Sequence, residues 1–428
     1  MESTSMKECK KQVKNELTLF PGAKVSQAVF SALSLQEKVA HLRKNPAKKK
    51  LDIILDESDP ERLVQALLPQ ELYWAFKEIG PADAQYLLSM ASPEQLDFFL
   101  DIELWEKDSL SHAKTLEWLG YLLEAGERKI CELVSHLDPE LFVLIFARDI
   151  KVGGGVGDVM HDEERTEEWD HTFDNIYFIS FINPKSARLI GAFLDIVFRK
   201  KNKLFRSLME GIKNGYFIEL EEEAFGYRNG RLADLGFPSR EEALAIYARI
   251  DPASFVFENV KKESGPDGWE SCLPAPLRQQ TILSGALGRC RSVVVDLELN
   301  YLVNNALMAE EGLFADPEAI QAVMERISGY LSIALQFLSG NDEEKSVEIL
   351  QSEPLKKLFQ LGNSIVLRLQ RKAAEITVSG YAAARALNGL KEHRPRFYRG
   401  LDADRIDGYR EFSSMEDVRL VEEFLKLF

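Results

Sequence analysis

Three prolines at a fixed interval constrain most strongly what this chain can fold into. Pro69, Pro81 and Pro93 are spaced twelve residues apart, and each begins a short apolar segment. Proline suits the first position of a helix, because its missing N–H would have no partner there and its φ is already helical. A helix of about nine residues is unstable alone, because nucleation is costly. The spacing therefore predicts several short helices that pack on one another as an array.

Apolar residues recur at equivalent positions of the three segments. These positions hold Leu72, Ala84 and Leu96; Ala75, Leu87 and Phe99; and Phe76, Leu88 and Leu100. Offsets of three and four residues place them on one face of each helix. The alternative is three unrelated short helices in an ordinary bundle. The surface predicted for protein contacts consists of Glu71, Tyr73, Trp74 and Glu94.

The segment 63–100 resembles the helical repeats of the cytoplasmic N-domain of the MgtE magnesium transporter and of flagellar switch proteins of the FliG type. The matching signal is a Pro-Glu pair between apolar residues, seen in Ala-Ser-Pro-Glu-Gln-Leu at 91–96 and Leu-Asp-Pro-Glu-Leu at 137–141. The resemblance implies a right-handed helical superstructure used for protein contacts or conformational regulation, and it does not imply transport. Magnesium sensing is a further possibility that rests on this resemblance alone.

Most of the chain, from about residue 50 to residue 428, resembles a bacterial family of unknown function. The segments that carry this resemblance are Leu-Gly-Phe-Pro at 235–238, Leu-Asn-Tyr-Leu-Val-Asn-Asn-Ala at 299–306 and Arg-Pro-Arg-Phe-Tyr-Arg-Gly-Leu at 394–401. The resemblance implies no activity.

Composition divides the chain into four predicted segments within an all-α fold. Residues 1–25 are polar and lysine-rich, which predicts a disordered tail, and residues 26–150 form the short-helix repeat domain. Residues 151–182 are a glycine-rich and acidic linker or hairpin, with a small β-hairpin-like insertion near 156–182, because 175–182 is β-branched and aromatic. Residues 183–428 form a larger C-terminal helical domain with longer helices.

Charge and cysteine content predict the partners and the compartment. The formal net charge of −16 repels phosphate backbones, so we expect no nucleic-acid partner. No apolar run approaches the roughly 20 residues of a membrane helix, and the N-terminus lacks the apolar region of a signal peptide. The four cysteines are widely spaced, which suits a reducing compartment, and without a Cys-x-x-Cys pair they indicate neither a zinc site nor a redox pair. We predict a cytoplasmic protein without cofactors and without membrane insertion, with a protein partner or a homo-oligomer.

The candidate anion-binding residues are Arg394, Arg396, Tyr398 and Arg399. Guanidinium groups beside aromatic rings can hold a carboxylate or a phosphate. The alternative interpretation is that these side chains pin the C-terminal segment onto acidic helices nearby.

The candidate metal ligands are His161, Asp162, His171 and Asp174. Carboxylate oxygens suit magnesium or calcium, and histidines could recruit zinc. The alternative is a solvated acidic loop. The preceding glycine cluster at 153–157 lacks the Gly-Lys-Ser/Thr of a phosphate-binding loop, so we interpret it as a flexible hinge.

The sequence contains neither Gly-x-Ser-x-Gly nor His-Glu-x-x-His, so it does not favour an enzyme. We predict a helical interaction or regulatory protein that acts as a scaffold. The alternative is an anion- or nucleotide-binding protein or enzyme with a pocket in the C-terminal helical domain.

Overall fold

The computed structural model describes residues 30–43, 45, 47–155, 169–260, 281–290, 292–310, 317–378 and 380–428. These residues are mostly helical, with three small sheets, which confirms the predicted all-α class with a small β insertion. The helices up to the long connection after residue 234 are α1 (Leu35–Arg43), α2 (Ala47–Leu55), α3 (Pro60–Gln65), α4 (Pro69–Ile79), α5 (Pro81–Met90), α6 (Pro93–Glu103), α7 (His112–Ala125), α8 (Glu127–Leu133), α9 (Pro139–Ala147), α10 (Pro184–Lys200), α11 (Asn202–Asn214) and α12 (Phe217–Asp234). The later helices are α13 (Arg240–Leu244), α14 (Ile282–Cys290), α15 (Val293–Ala309), α16 (Pro317–Ser339), α17 (Glu343–Ser352), α18 (Leu355–Ala374), α19 (Tyr381–Lys391) and α20 (Met415–Leu425). The strands are β1 (Trp105–Glu106), β2 (Ser109–Leu110), β3 (Ile150–Gly154), β4 (His171–Thr172), β5 (Tyr177–Phe181), β6 (Phe397–Tyr398) and β7 (Tyr409–Arg410).

The described chain divides into two compact units. The N-terminal unit comprises the described residues up to Trp105 together with Leu110–Ala224. The C-terminal unit comprises Glu106–Ser109 and the described residues of Phe225–Phe428. The first unit extends beyond residue 150, where the sequence places the end of the short-helix domain, and the four-part division into domains stays a prediction.

The short N-terminal helices begin where the sequence predicts. Pro69, Pro81 and Pro93 are the first residues of α4, α5 and α6. Before α6, the Ser92 hydroxyl accepts the N–H of Gln95, and the Gln95 side chain accepts the N–H of Ser92. This reciprocal capping satisfies two backbone donors that have no partner within the helix.

Alternate short helices contact each other in the N-terminal unit. Helix α4 packs against α2 and α6, and α5 packs against α3 and α7. The equivalent apolar residues Leu72, Ala84 and Leu96 are at most 1% exposed, as the periodicity predicts. Helices α4 and α5 are thus each stabilised by their second neighbours along the chain.

Gln95 joins α6 to the end of α3. Its side chain is buried, and Nε2 donates to the carbonyl oxygens of Val64 at 2.9 Å and Leu67 at 2.8 Å. We expect Gln95→Leu to lower the free energy of unfolding by about 2 to 4 kcal/mol, because each buried polar group left unpaired costs about 1 to 3 kcal/mol. Urea denaturation of the full chain measures the loss. Ser92→Ala removes only the cap and should cost about 1 kcal/mol; equal losses in the two variants would contradict this role of Gln95.

The predicted strand within 175–182 is confirmed as β5, which pairs antiparallel with β3 and with β4. The interpretation of the glycine cluster as a hinge is wrong for Gly153 and Gly154, which lie in β3. A Cβ on Gly153 would overlap the ring of Trp169, and one on Gly154 would overlap the carbonyl oxygen of Ile176. Glycine is needed in this strand for close packing. The last glycine of the cluster, at position 157, lies outside the described residues.

The C-terminal unit is a bundle around its two longest helices, α16 and α18, which pack against each other. Helices α17 and α20 also contact α16, and β6 pairs antiparallel with β7 beside α19. A Cβ on Gly329 of α16 would overlap the carbonyl oxygen of Phe412, and one on Gly362 of α18 would overlap that of Tyr330. Glycines therefore allow the close approaches at the centre of this unit. No helix within the described ranges is long and apolar enough to cross a bilayer.

Candidate functional site

A group of charged and phenolic side chains lies inside the C-terminal unit. It forms where α16, the end of α15 and the segment after β7 meet. We call it the arginine cluster, and its members are Tyr247, Glu310, Arg326, Tyr330, Arg394 and Glu411. The two arginines and two glutamates balance in charge.

The inner half of the arginine cluster is the pair Arg326 and Glu411, each 6% exposed. Arg326 Nε and Nη2 donate to the two carboxylate oxygens of Glu411 at 3.0 and 2.9 Å. Burial would lower the pKa of Arg326, but the hydrogen bonds and charge of Glu411 outweigh it and raise the pKa above its ordinary value. The guanidinium is therefore charged and held by both ends of one carboxylate.

The outer half of the arginine cluster is centred on one oxygen of Glu310. Oε1 accepts from Arg326 Nη1 and from the Tyr247 hydroxyl at 3.3 Å, and Arg394 Nε lies 3.5 Å away. The Arg394 guanidinium carbon lies 3.4 Å from the centre of the Tyr247 ring. Burial raises the pKa of Tyr247, which keeps its hydroxyl available as a donor. The side chains of Glu310 and Arg394 are each 17% exposed, so this half reaches solvent.

Helix α18 fixes the turn that carries Tyr247. Asn363 Nδ2 donates to the carbonyl oxygen of Tyr247 at 3.2 Å, and Gln360 Nε2 donates to that of Ala245 at 3.0 Å. The Ser364 hydroxyl accepts the N–H of Ile250 at 2.9 Å. The turn that carries Tyr247 is therefore anchored to α18 by three hydrogen bonds.

Tyr330 lies one helical turn after Arg326 and is completely buried. Its hydroxyl has no hydrogen-bond partner within the described part of the chain. Burial raises the pKa of Tyr330, the positive charges of Arg326 and Arg394 oppose the rise, and the charge of Glu411 adds to it. The hydroxyl is therefore a protonated donor within the field of the charged side chains.

The structure separates the predicted anion-binding residues. Arg394 belongs to the arginine cluster, whereas Arg396 is paired with Glu392 at 2.6 and 2.7 Å. Tyr398 is 6% exposed in β6, and Arg399 lies half-buried in the turn that follows. Arg394 lies against Glu310 at the end of α15, whereas the partner of Arg396 is four residues before it in the same segment.

The predicted contact surface includes a core residue. Tyr73 is 0% exposed, and its hydroxyl donates to Glu103 at 2.6 Å. Burial raises the pKa of Tyr73 well above its ordinary value. Trp74 is half-buried, with its ring edge-on to Tyr73. Tyr73 therefore contributes to packing within the N-terminal unit and not to an exposed surface.

The two glutamates of that predicted surface act at helix starts. Glu71 accepts the N–H of Leu68 at 3.1 Å and forms an ion pair with Arg43. Glu94 is exposed in the first turn of α6, where its own backbone N–H and then the Ser92 hydroxyl lower its pKa. Both carboxylates stabilise the positive end of a helix.

Two of the predicted metal ligands can be placed. His171 is exposed in β4 with its ring centre 4.3 Å from that of Phe173. Asp174 Oδ1 accepts the N–H groups of Ile176 and Tyr177 at 2.9 and 3.0 Å, so it shapes the turn before β5. His161 and Asp162 lie outside the described residues. No group of three metal-ligating side chains occurs in the part of the chain that the structure describes.

One surface was missed by the sequence-based predictions. Helix α15 is apolar around most of its circumference, and such helices are normally buried on all sides. Nevertheless Leu297 is 63% exposed and Tyr301 is 47% exposed. They are four residues apart and share one side of the helix with the half-exposed Val294. We call Val294, Leu297 and Tyr301 the α15 face; the signal that could have revealed it is that these apolar residues lie among polar ones such as Glu298 and Asn304, so the helix has no wholly polar side.

Comparison with known proteins identifies a family for this chain but no activity. No curated protein and no solved structure matches the chain. The comparisons therefore do not support the resemblance of residues 63–100 to the MgtE and FliG-type repeats. A family model matches residues 27–427, almost the whole length of the sequence. The chain belongs to that family, which is described as a family of unknown function (DUF6178).

Proposed function

We propose that this protein is a cytosolic, non-catalytic interaction protein that binds a partner protein through the α15 face. The observation that carries the proposal is the exposure of Leu297 and Tyr301 on one side of an apolar helix. Exposed apolar side chains that lie together mark sites where proteins associate. Tyrosine is also enriched among the residues that dominate binding energy at interfaces.

Charge favours a basic partner. The net charge of −16 makes association of two copies of this chain less favourable and attracts a positively charged protein. We therefore propose an amphipathic helix with apolar residues flanked by lysine or arginine as the segment that binds the α15 face. The packing of alternate short helices in the N-terminal unit is a second feature that supports a role in protein contacts.

The partner-binding proposal is tested by capture at native expression level. The wild-type chain should retain a basic protein in a 1:1 ratio, and that protein should protect α15 from deuterium exchange. Leu297→Glu with Tyr301→Glu should weaken binding by about tenfold or more, because loss of an apolar anchor costs about 1 to 2 kcal/mol or more. Tyr381→Glu, at a tyrosine 72% exposed on α19, is the matched control and should bind normally. Retention of the partner by the double variant, or a self-association that it abolishes, would contradict the proposal.

Anion binding in the C-terminal unit is the second candidate function. The observation that favours it is the convergence of Arg326, Arg394 and Tyr247 on a single carboxylate oxygen of Glu310. Of the predicted residues Arg394, Arg396, Tyr398 and Arg399, this candidate site includes Arg394.

A further inference from the structure

The two arginines of the arginine cluster direct N–H groups toward the same place. Arg326 uses Nε and Nη2 for Glu411 and turns Nη1 toward Glu310. Arginine carries five N–H donors. For Arg394, the polar contact within the described residues is Nε at 3.5 Å from Glu310, longer than an ordinary hydrogen bond. Stacking on Tyr247 fixes the plane of Arg394 and leaves its other donors for an acceptor at the edge of the group.

Glu310 is held less firmly than Glu411. It is the residue that follows the last turn of α15, and its side chain is 17% exposed, against 5% for Glu411. Three side chains are directed at Oε1 of Glu310. In Glu411, by contrast, one carboxylate oxygen accepts from Arg326 Nε and the other from Nη2. Glu310 is thus the carboxylate that can leave the arginine cluster while the inner pair stays intact.

Tyr330 supplies independent evidence for a ligand. Its hydroxyl is completely buried among the charged side chains and has no hydrogen-bond partner among the described residues. Leaving a buried donor unpaired costs about 1 to 3 kcal/mol. Glu310 does not satisfy this donor, so the arginine cluster holds one buried donor more than its own carboxylates use.

Charge balance selects the class of ligand. Without Glu310, the arginine cluster holds two guanidinium groups and one carboxylate, and an uncompensated buried charge is strongly destabilising. A carboxylate ligand restores neutrality, whereas a phosphate dianion would leave an excess negative charge. We propose that Arg326, Arg394 and Tyr247 form a binding site for a small carboxylate. Without that ligand the side chain of Glu310 occupies the site, and the ligand binds by displacing it. This inference rests on the second candidate function and is independent of the α15 face.

Chemical rescue tests the site. In Glu310→Ala, propionate should raise the melting temperature in a saturable manner that chloride at equal ionic strength does not reproduce. Arg394→Ala in the same background should abolish the rise. Glu392→Ala, which breaks the more exposed pair with Arg396, is the matched control and should show no specific rise. Should Glu310→Ala fail to fold, Glu310→Gln keeps the shape of the side chain and is titrated in the same way.

The wild-type chain tests the replacement of Glu310. Propionate should accelerate deuterium exchange at the end of α15, with the same saturation as its effect on the melting temperature. If no Glu310 variant responds to propionate or phosphate beyond the chloride control, anion binding itself is overturned. If the variants respond but the wild-type chain does not, Glu310 is a fixed structural link and the replacement is overturned. A stronger response to phosphate than to propionate would overturn the assignment to carboxylates.

Discussion

Replacing Glu411 with alanine is expected to lower the free energy of unfolding of the C-terminal unit by about 3 to 5 kcal/mol. The change removes the two acceptors of Arg326 Nε and Nη2, and the side chain, only 7% exposed, keeps only Glu310, which Tyr247 and Arg394 already share. The guanidinium cannot lose its proton to escape the low-dielectric interior, because the pKa of arginine lies far above the physiological range. Urea denaturation of the full chain, followed by circular dichroism, measures the loss.

Two further variants separate the cost of an unpaired charge from the value of the pair. Arg326→Met combined with Glu411→Leu should cost much less than the two single losses added together, because no charge is left buried alone. Arg396→Ala breaks a pair whose side chains are about 40% exposed and should cost less than about 1 kcal/mol. A loss below 1 kcal/mol for Glu411→Ala would contradict the role of Glu411 as the main partner that the buried Arg326 requires.

The helix starts of the N-terminal unit could be predicted because their determinants are local. Proline at the first helical position, with a capping side chain before it, acts through neighbouring residues, and Pro69, Pro81 and Pro93 all begin helices. The burial of Tyr73 could not be predicted from one apolar face. Helix α4 packs against α2, α5 and α6, so its buried surface is wider than the positions of Leu72 and Phe76 suggest.

The arginine cluster could be predicted only in part. Arg394 could be predicted as a candidate anion-binding residue because aromatic residues follow it closely in the sequence. Arg326 and Glu411 are separated by 85 positions, and nothing in the segments around them distinguishes this pair from other charged residues. Their contact depends on the packing of α16 against the segment after β7, where Gly329 lies against the carbonyl oxygen of Phe412. Such a contact is a property of the folded unit and leaves no periodic signal.

Gly362→Ala is expected to destabilise the C-terminal unit by about 1 to 3 kcal/mol, toward the upper end of that range. The added Cβ would overlap the carbonyl oxygen of Tyr330. That oxygen belongs to the backbone of α16, so the clash cannot be relieved by rotating a side chain. Helices α16 and α18 must move apart, which also shifts Tyr330 and the turn that carries Tyr247. Urea denaturation measures the loss.

Gly285→Ala is the matched control, because Gly285 also lies within a helix of the C-terminal unit, and a Cβ there meets no atom of the described residues within 4 Å. Alanine is favoured over glycine in a helix by about 0.8 to 1 kcal/mol, so this variant should be more stable than the wild type. Replacing glycine with alanine should therefore lower the free energy of unfolding at position 362 and raise it at position 285. A stabilising effect of Gly362→Ala would contradict the close approach of α16 and α18, and with it the rigid placement of Tyr247 beside Glu310 and Arg394.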